Sequence, residues 1–376
     1  MALIDYLNRV HFADNILEDA LWAELDQRRA TRLCLLSNDE SHEGELGERI
    51  RAGLPQGLRI SEFRTSGTVP TEAEAQQVAA FYENENCGLI LAYGRGYCIN
   101  LAKAVRILVS HDRPLAKFAD SLGGAVGIKC TLPDLIAVPA LQGFSTGFNG
   151  LLSVFLNEGA MIDIASRSLL PTVTIGDPTI ALQDPIEVQA SAGISAVTLC
   201  VEALLSPNYN PPAHGIALDG LTRGLQALQS VSDTADLEIC RELMAACMNA
   251  AMVQLKGLGL AHAITSSLCA TSQLPLDKGA IKGLLLPEIL CAYNRIDPAA
   301  CLPLGKALGV ARAGDVVDTI ASAFEGFPFP SRLSEMGITA EHVGECAERA
   351  SRHRAMANSP CHLAAADILK ILNSIY

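Results

Sequence analysis

Short apolar runs alternate with helical stretches over the first half of the chain, and this alternation restricts the fold more than any other feature. The runs lack a helical period, as expected of strands covered on both faces of a sheet. The predicted strands are Leu33–Ser37, Leu58–Phe63, Gly88–Tyr93, Pro114–Phe118, Leu135–Ala140 and Thr172–Gly176. The helical stretches between them include Ser41–Ala52, Glu72–Glu83 and Ile99–Leu108. The pattern predicts an α/β N-terminal domain with a doubly wound, Rossmann-like parallel sheet.

The strand signals end at Asp177-Pro178, and the remaining chain is predicted to be helical. The clearest predicted helices are Ser191–Leu205, His214–Ser230, Asp236–Leu255, Leu260–Ala270, Ala300–Ala307 and Ala313–Phe324. A chain of 376 residues is long enough for two cores of roughly 150 to 200 residues each. We therefore predict an α/β domain over residues 1–178, an all-α C-terminal domain over residues 179–376, and a cleft between them.

Charge and apolar content exclude several classes of protein. With 28 basic and 41 acidic residues the net charge is -13, which argues against nucleic acid as a partner. No apolar run approaches the roughly 18 residues that a membrane helix needs, and the amino terminus lacks the pattern of a secretory signal. None of the 12 cysteines forms a Cys-x-x-Cys pair, so reduced, buried thiols are expected. We expect a soluble, cytoplasmic protein without a membrane partner.

A glycine-containing turn follows the third predicted strand. It reads Gly94-Arg95-Gly96-Tyr97 and opens a helix. Glycine lets the backbone approach a phosphate, and unpaired N–H groups at a helix amino terminus attract anions. The alternative is a tight turn that needs glycine only for its backbone angles. Both interpretations stay open from the local sequence.

Several motifs occur in one order along the chain. After the glycine turn come Leu101-Ala102-Lys103-Ala104, Pro139–Gly143, Asp177-Pro178, Ala192–Ala196 with Val201–Leu204, Ser206–Pro211, Gly257–Ile264 and Leu284–Pro287. In this order they resemble the iron-dependent alcohol dehydrogenase and maleylacetate reductase superfamily over nearly the whole chain. The resemblance implies a nucleotide-binding-like domain, a helical metal domain and a homodimer.

In metal-dependent members of that superfamily, one Asp and three His bind the ion. The corresponding residues here are Ser195, Leu199, His262, and either Leu276 or Lys278, depending on the direction of counting. One imidazole cannot hold iron or zinc, because such sites need three or four N, O or S donors. The resemblance therefore predicts a degenerate site without a metal.

The superfamily's cofactor is NAD(P)H, and the resemblance assigns its contacts to residues of the N-terminal domain. The assigned residues are Asn38, Asp39, Gly94, Arg95, Gly96, Tyr97 and Asp177. Arg95 and Tyr97 are larger than the family's turn residues, and Tyr97 would crowd a pyrophosphate. The alternative is therefore that the protein no longer binds the dinucleotide.

The candidate catalytic residues are His262, Lys278 and Lys282. A neutral imidazole can act as general acid or base near neutral pH, although a histidine on an apolar helix can also be a core residue. The two lysines are predicted in a turn, where an ammonium could replace part of a lost cation's charge. The alternative for them is a solvated pair.

Three hypotheses follow for the function. The first is a metal-independent reductase that uses NAD(P)H on a small, anionic carbonyl or enoyl substrate. The second is a non-redox enzyme (lyase, cyclase, isomerase or hydrolase) that reuses the cleft. The third is a non-catalytic partner subunit or ligand sensor.

Overall fold

The computed structural model describes residues 9–128, 131–232, 234 and 236–376. The chain divides into two compact units that meet in the sequence between Asp184 and Pro185. The first unit contains the sheet, and the second is helical. Each unit is described separately below.

The N-terminal unit contains a six-stranded parallel sheet in the order β1-β8-β5-β4-β2-β3. Its strands are β1 (Arg9–Phe12), β2 (Arg32–Asn38), β3 (Arg59–Thr65), β4 (Leu89–Gly94), β5 (Asp134–Pro139) and β8 (Val173–Gly176). An antiparallel hairpin is formed by β6 (Leu151–Phe155) and β7 (Met161–Ala165). The predicted parallel α/β domain is therefore confirmed.

One predicted strand is wrong. Pro114–Phe118 is not extended, because Leu115–Phe118 forms a 3-10 turn. In such a turn residues three apart lie on the same side, and Leu115 and Phe118 are both buried. The apolar run thus reflects one buried face of a short helix.

Helices cover both faces of the sheet. They are α1 (Leu17–Gln27), α2 (Asp39–Glu43), α3 (Glu45–Ala52), α4 (Glu72–Asn84) and α5 (Gly96–Leu108). Along β2, Cys34 and Leu36 pack in the core formed with α4 and α5, whereas Leu33 and Leu35 pack in the core formed with α1 and α3. Alternate side chains enter opposite cores, which explains the continuous apolar run in the sequence.

The strand order places a topological switch between β2 and β4. The chain leaves β2 toward β3 at one edge of the sheet, and it leaves β4 in the opposite direction toward β5. Because the connections that leave these two neighbouring strands run in opposite directions, a crevice forms at the carboxyl ends of the strands. The predicted glycine turn follows β4 and therefore lies at this crevice.

The C-terminal unit is all-α, as predicted. Its helices are α6 (Ile186–Leu205), α7 (Pro211–Ser230), α8 (Leu237–Val253), α9 (Leu260–Ser272), α10 (Lys278–Ile296), α11 (Leu302–Leu308), α12 (Ala313–Phe324), α13 (Ala340–Ser351) and α14 (Ala365–Ser374). Helix α6 is long and apolar enough to cross a membrane, but 89% of its most apolar window is buried. Burial of this extent is what a core helix of a soluble domain shows.

Candidate functional site

Gly94 ends β4 in a conformation that requires glycine. Its φ is +103°, and an ideal Cβ would lie 2.5 Å from Ser41 Oγ and 2.8 Å from Asn38 Oδ1. Asn38 ends β2 and precedes α2, so a side chain at position 94 would collide with the neighbouring strand end. The glycine thus lets the two sides of the crevice approach each other closely.

Gly96 makes a second close approach, to the loop after β5. An ideal Cβ on Gly143 would lie 2.6 Å from both Gly96 Cα and Gly96 N. The Gly96 N–H donates to the Gln142 carbonyl at 3.1 Å, and the Cys98 N–H donates to the Arg95 carbonyl at 3.0 Å. Two amides at the start of α5 are therefore already used within the domain. This favours the interpretation that the glycines are needed for close backbone packing, beside any role in phosphate binding.

Arg95 is paired with one acidic residue and acts electrostatically on a second. Its Nη2 atom is 2.7 Å from Glu40 Oε2. Burial raises the pKa of Asp184 to about 7, and the charge of nearby Arg95 opposes that rise. A guanidinium paired in this way must release Glu40 before it can bind a phosphate in bidentate fashion.

The other predicted cofactor contacts at this end of the sheet differ in exposure. Asn38 is buried, whereas Asp39, the first residue of α2, is exposed. Tyr97 is half-buried in the first turn of α5, and burial raises the pKa of its phenol while the Thr65 side chain opposes the shift. Side chains from the ends of β2 and β3 and from α5 thus meet at the crevice. Their role in cofactor binding stays a prediction.

Asp177 has structural partners within the N-terminal unit. Its side chain is fully buried and accepts hydrogen bonds from the backbone of Asn15 at 3.0 Å and of Leu17 at 3.2 Å. Arg49 donates to the same carboxylate at 2.8 Å, and Thr179 donates to it at 2.7 Å. These bonds assign Asp177 a structural role. A cofactor contact at this position stays a prediction that no contact supports.

In the C-terminal unit, a buried glutamate holds the backbone of His262. Glu202 on α6 accepts the His262 N–H at Oε1, with a distance of 3.0 Å. Gly259 precedes α9, and an ideal Cβ there would lie 3.1 Å from the same oxygen. A carboxylate at a helix amino terminus satisfies an otherwise unpaired N–H and favours the helix dipole. Glu202 therefore fixes where α9 begins and where His262 lies.

A second histidine, which the sequence did not single out, contacts His262. The rings of His262 and His353 lie 5.5 Å apart between centroids, at an interplanar angle of 72°. His353 Nδ1 accepts the Ala355 N–H at 3.2 Å, so the neutral ring carries its proton on Nε2. The two residues are 91 positions apart in the sequence, which is why motif spacing did not reveal the pair.

The two candidate lysines do not lie in a turn, and this prediction is wrong. Both belong to α10, which begins at Lys278 because Asp277 caps it by accepting the Ala280 N–H at 2.8 Å. Lys278 is exposed, as a solvated lysine would be. Lys282, one turn later, is only 7% exposed, so the solvated alternative is wrong for it.

Lys282 and Glu202 form an electrostatic pair inside the helical unit. Burial lowers the pKa of Lys282 to about 8, and the charge of Glu202 opposes that shift. Burial likewise raises the pKa of Glu202, opposed by the His262 N–H and by Lys282. Both shifts are toward the neutral forms, because loss of hydration outweighs the mutual attraction, but a pKa of about 8 leaves Lys282 mostly protonated at pH 7.

The residues at the expected metal-ligand positions do not fit a divalent ion. Ser195 and Leu199 lie one turn apart on α6, and Leu199 is a buried core residue. Over the described ranges, no three His, Cys, Asp or Glu side chains come together as a possible metal site. A hydroxyl, an aliphatic side chain and one or two imidazoles do not make the donor set that iron or zinc needs.

Comparison with protein families matches both units to one family. Residues 8–178 match the model of iron-containing alcohol dehydrogenases, and residues 189–376 match the C-terminal model of the same family. Together the two matches cover nearly the whole chain.

Individual relatives match over their full length. The chain is 28% identical over 381 residues to 4-hydroxybutyrate dehydrogenase from Cupriavidus necator, covering 99% of both chains. Among solved structures, an alcohol dehydrogenase from Oenococcus oeni superposes with a TM-score of 0.88 at 20% identity, covering 100% of both chains. Maleylacetate reductase from Agrobacterium tumefaciens superposes with a TM-score of 0.77 at 19% identity, covering 100% of this chain and 99% of that one. The solved structures share the fold.

Proposed function

The chain belongs to the iron-containing alcohol dehydrogenase family, and from this premise we propose that it is a metal-independent, NAD(P)H-dependent reductase of a small anionic carbonyl or enoyl substrate. Family membership agrees with the resemblance predicted from sequence, and it supports an oxidoreductase. The observation that carries metal independence is the pair Ser195 and Leu199 at positions where a carboxylate and an imidazole would be needed.

The proposed cofactor site is the crevice at the β2–β4 switch. Gly94 and Gly96 allow close backbone approach there, and α5 directs its amino terminus to the same place. Asn38 and Asp39 would contact the ribose from the end of β2, and the Tyr97 backbone amide would face a phosphate. NAD(P)H, when bound, supplies the hydride.

His262 is the proposed general acid. In this role its imidazole donates a proton to the substrate oxygen as negative charge develops there. The Lys278 and Lys282 ammonium groups belong to the same helical unit. Their positive charge would offset the negative charge that develops on the substrate oxygen, which a bound metal ion would otherwise do. Cationic groups of this kind favour an anionic substrate, and the hydroxy acid in the name of the Cupriavidus necator relative agrees with that class.

One observation favours the second hypothesis. Gly96 and Cys98 use their amides internally, and Arg95 is paired with Glu40, so part of the expected phosphate cradle is already occupied by the protein's own groups. A non-redox enzyme that keeps His262 without the dinucleotide is therefore the alternative proposal.

The reductase proposal is tested with two single variants, His262→Ala and His362→Ala. His362 is exposed and serves as the matched control. Oxidation of 4-hydroxybutyrate and other small hydroxy acids is followed by NAD(P)H absorbance, in chelator-treated protein. Turnover should fall by about 100-fold or more in His262→Ala and stay unchanged in His362→Ala. Equal loss in both, or about one iron or zinc per active chain, would contradict the proposal.

A further inference from the structure

A small cavity within the C-terminal unit lies beside the start of α9. It has a volume of about 10 Å³. Residues from α6, α10 and the segment before α14 line it, including Glu202, Tyr293 and Ser359. Most of the remaining lining is aliphatic. A cavity of roughly 10 to 15 Å³ admits a single water molecule.

Two polar atoms in this lining lack a hydrogen bond within the described part of the chain. Glu202 Oε2 and Ser359 Oγ are both buried and both unsatisfied. The Glu202 residue is 7% exposed, and its other oxygen already accepts the His262 N–H. A buried carboxyl oxygen without a hydrogen-bond partner is costly, so the site calls for a partner.

The Glu202 carboxyl group and the Ser359 hydroxyl both lie next to Gly259. An ideal Cβ on Gly259 would lie 3.1 Å from Glu202 Oε1 and 3.5 Å from Ser359 Oγ. Glycine at 259 therefore keeps open the space between the carboxylate and the hydroxyl. Tyr293 also lines the cavity, and its phenol is a third group that can donate or accept a hydrogen bond.

We propose that this cavity is a binding site for one structural water molecule, which hydrogen-bonds to Glu202 Oε2 and to the hydroxyls of Ser359 and Tyr293. Three partners are the usual number for a buried water. The water hydrates the carboxyl group whose other oxygen holds the amide of His262. It therefore stabilises the first turn of α9 and the position of the histidine.

A crystal structure of the full chain at about 1.5 Å resolution tests the site directly. One isolated density peak is expected at hydrogen-bond distance from Glu202 Oε2 and Ser359 Oγ. A dry cavity, a direct bond between Ser359 and Glu202, or a peak with the short distances of a metal cation would overturn the proposal.

Variants give a second test, because a water-filled cavity and a dry cavity predict opposite changes in melting temperature. Ser359→Val fills the space with methyl groups, and the exposed Ser331→Val is the control. If water is displaced, the Glu202 oxygen loses its hydrogen-bond partner, so the melting temperature should fall by about 3 °C or more. Exchange of the His262 amide should then accelerate by about tenfold. An unchanged or raised melting temperature would show that the methyl groups filled an empty apolar space.

Discussion

Replacement of Lys282 by methionine tests the electrostatic account of the helical unit. Lys282 is 7% exposed on α10, and its ammonium is attracted by Glu202. Methionine keeps the unbranched shape and removes the charge. The absolute stability change at neutral pH combines relief of a buried charge with loss of attraction to Glu202. The pH dependence isolates the contribution of the lysine.

The magnitude follows from the pKa of Lys282, which burial lowers from 10.5 to about 8. Because the folded-state pKa is the lower one, the unfolded chain binds more protons between these two values. The free energy of unfolding therefore rises with pH across this window. One pKa unit corresponds to about 1.4 kcal/mol, so the rise is about 3 kcal/mol. Below pH 8 the cost of burying the charge is present in full.

The assay is urea denaturation at constant ionic strength between pH 7 and pH 10.5. Circular dichroism follows the helices of both units, whereas fluorescence of Trp22, the single tryptophan, follows the sheet unit alone. The curve for Lys282→Met should lack the rise of about 3 kcal/mol that the wild type shows. Lys278→Met, an exposed lysine one turn earlier, should keep it. Parallel curves for wild type and Lys282→Met would show that burial does not lower the pKa of Lys282 in the folded protein.

Three further predictions concern the sheet unit and use the Trp22 signal. Lys103→Met should lower the free energy of unfolding by at least about 3 kcal/mol, because the fully buried ammonium donates to Thr146, Asn149 and Leu151 carbonyls at 2.8–3.0 Å. Gly143→Ala should cost about 3 kcal/mol, whereas Gly57→Ala, with φ +83° and open space around it, should cost only about 1 kcal/mol. Burial alone would raise the pKa of Asp177, but hydrogen bonds from Thr179 and Arg49 lower it below 3.8. The stability that Asp177 contributes is thus present above pH 3.8 and lost as pH falls through its folded-state pKa. In urea denaturation, the free energy of unfolding of Asp177→Asn should therefore fall less steeply with decreasing pH than that of the wild type. Identical pH dependence in the acid range would contradict this.

The central strands of the sheet could be predicted from sequence because they are buried on both faces. Strand β1 was missed, since Arg9 and His11 make an edge strand polar. The α10 helix was missed because Pro287 lies inside it and glycines stand at 279 and 283. Burial of Ile281, Leu285 and Ile289 along one side stabilises it nevertheless. Tertiary packing outweighs local propensity there.

The site was predictable only where a residue's role depends on its neighbours in sequence. The glycine turn follows a strand and opens a helix, and that local pattern was sufficient to place it. The partners of His262 come from distant segments, Glu202 on α6 and His353 before α14. The burial of Lys282 depends likewise on helices packed around it. No spacing rule connects such residues, because the fold alone brings them together.

The proposed function requires the protein to bind its nicotinamide cofactor without a metal ion. Titration of chelator-treated protein with NADPH and NADH, followed by cofactor fluorescence, tests this requirement. We predict saturable binding of one cofactor per chain, with a dissociation constant that added Zn²⁺ or Fe²⁺ leaves unchanged. Absence of binding at millimolar cofactor, or binding that requires the added metal, would contradict the proposed function.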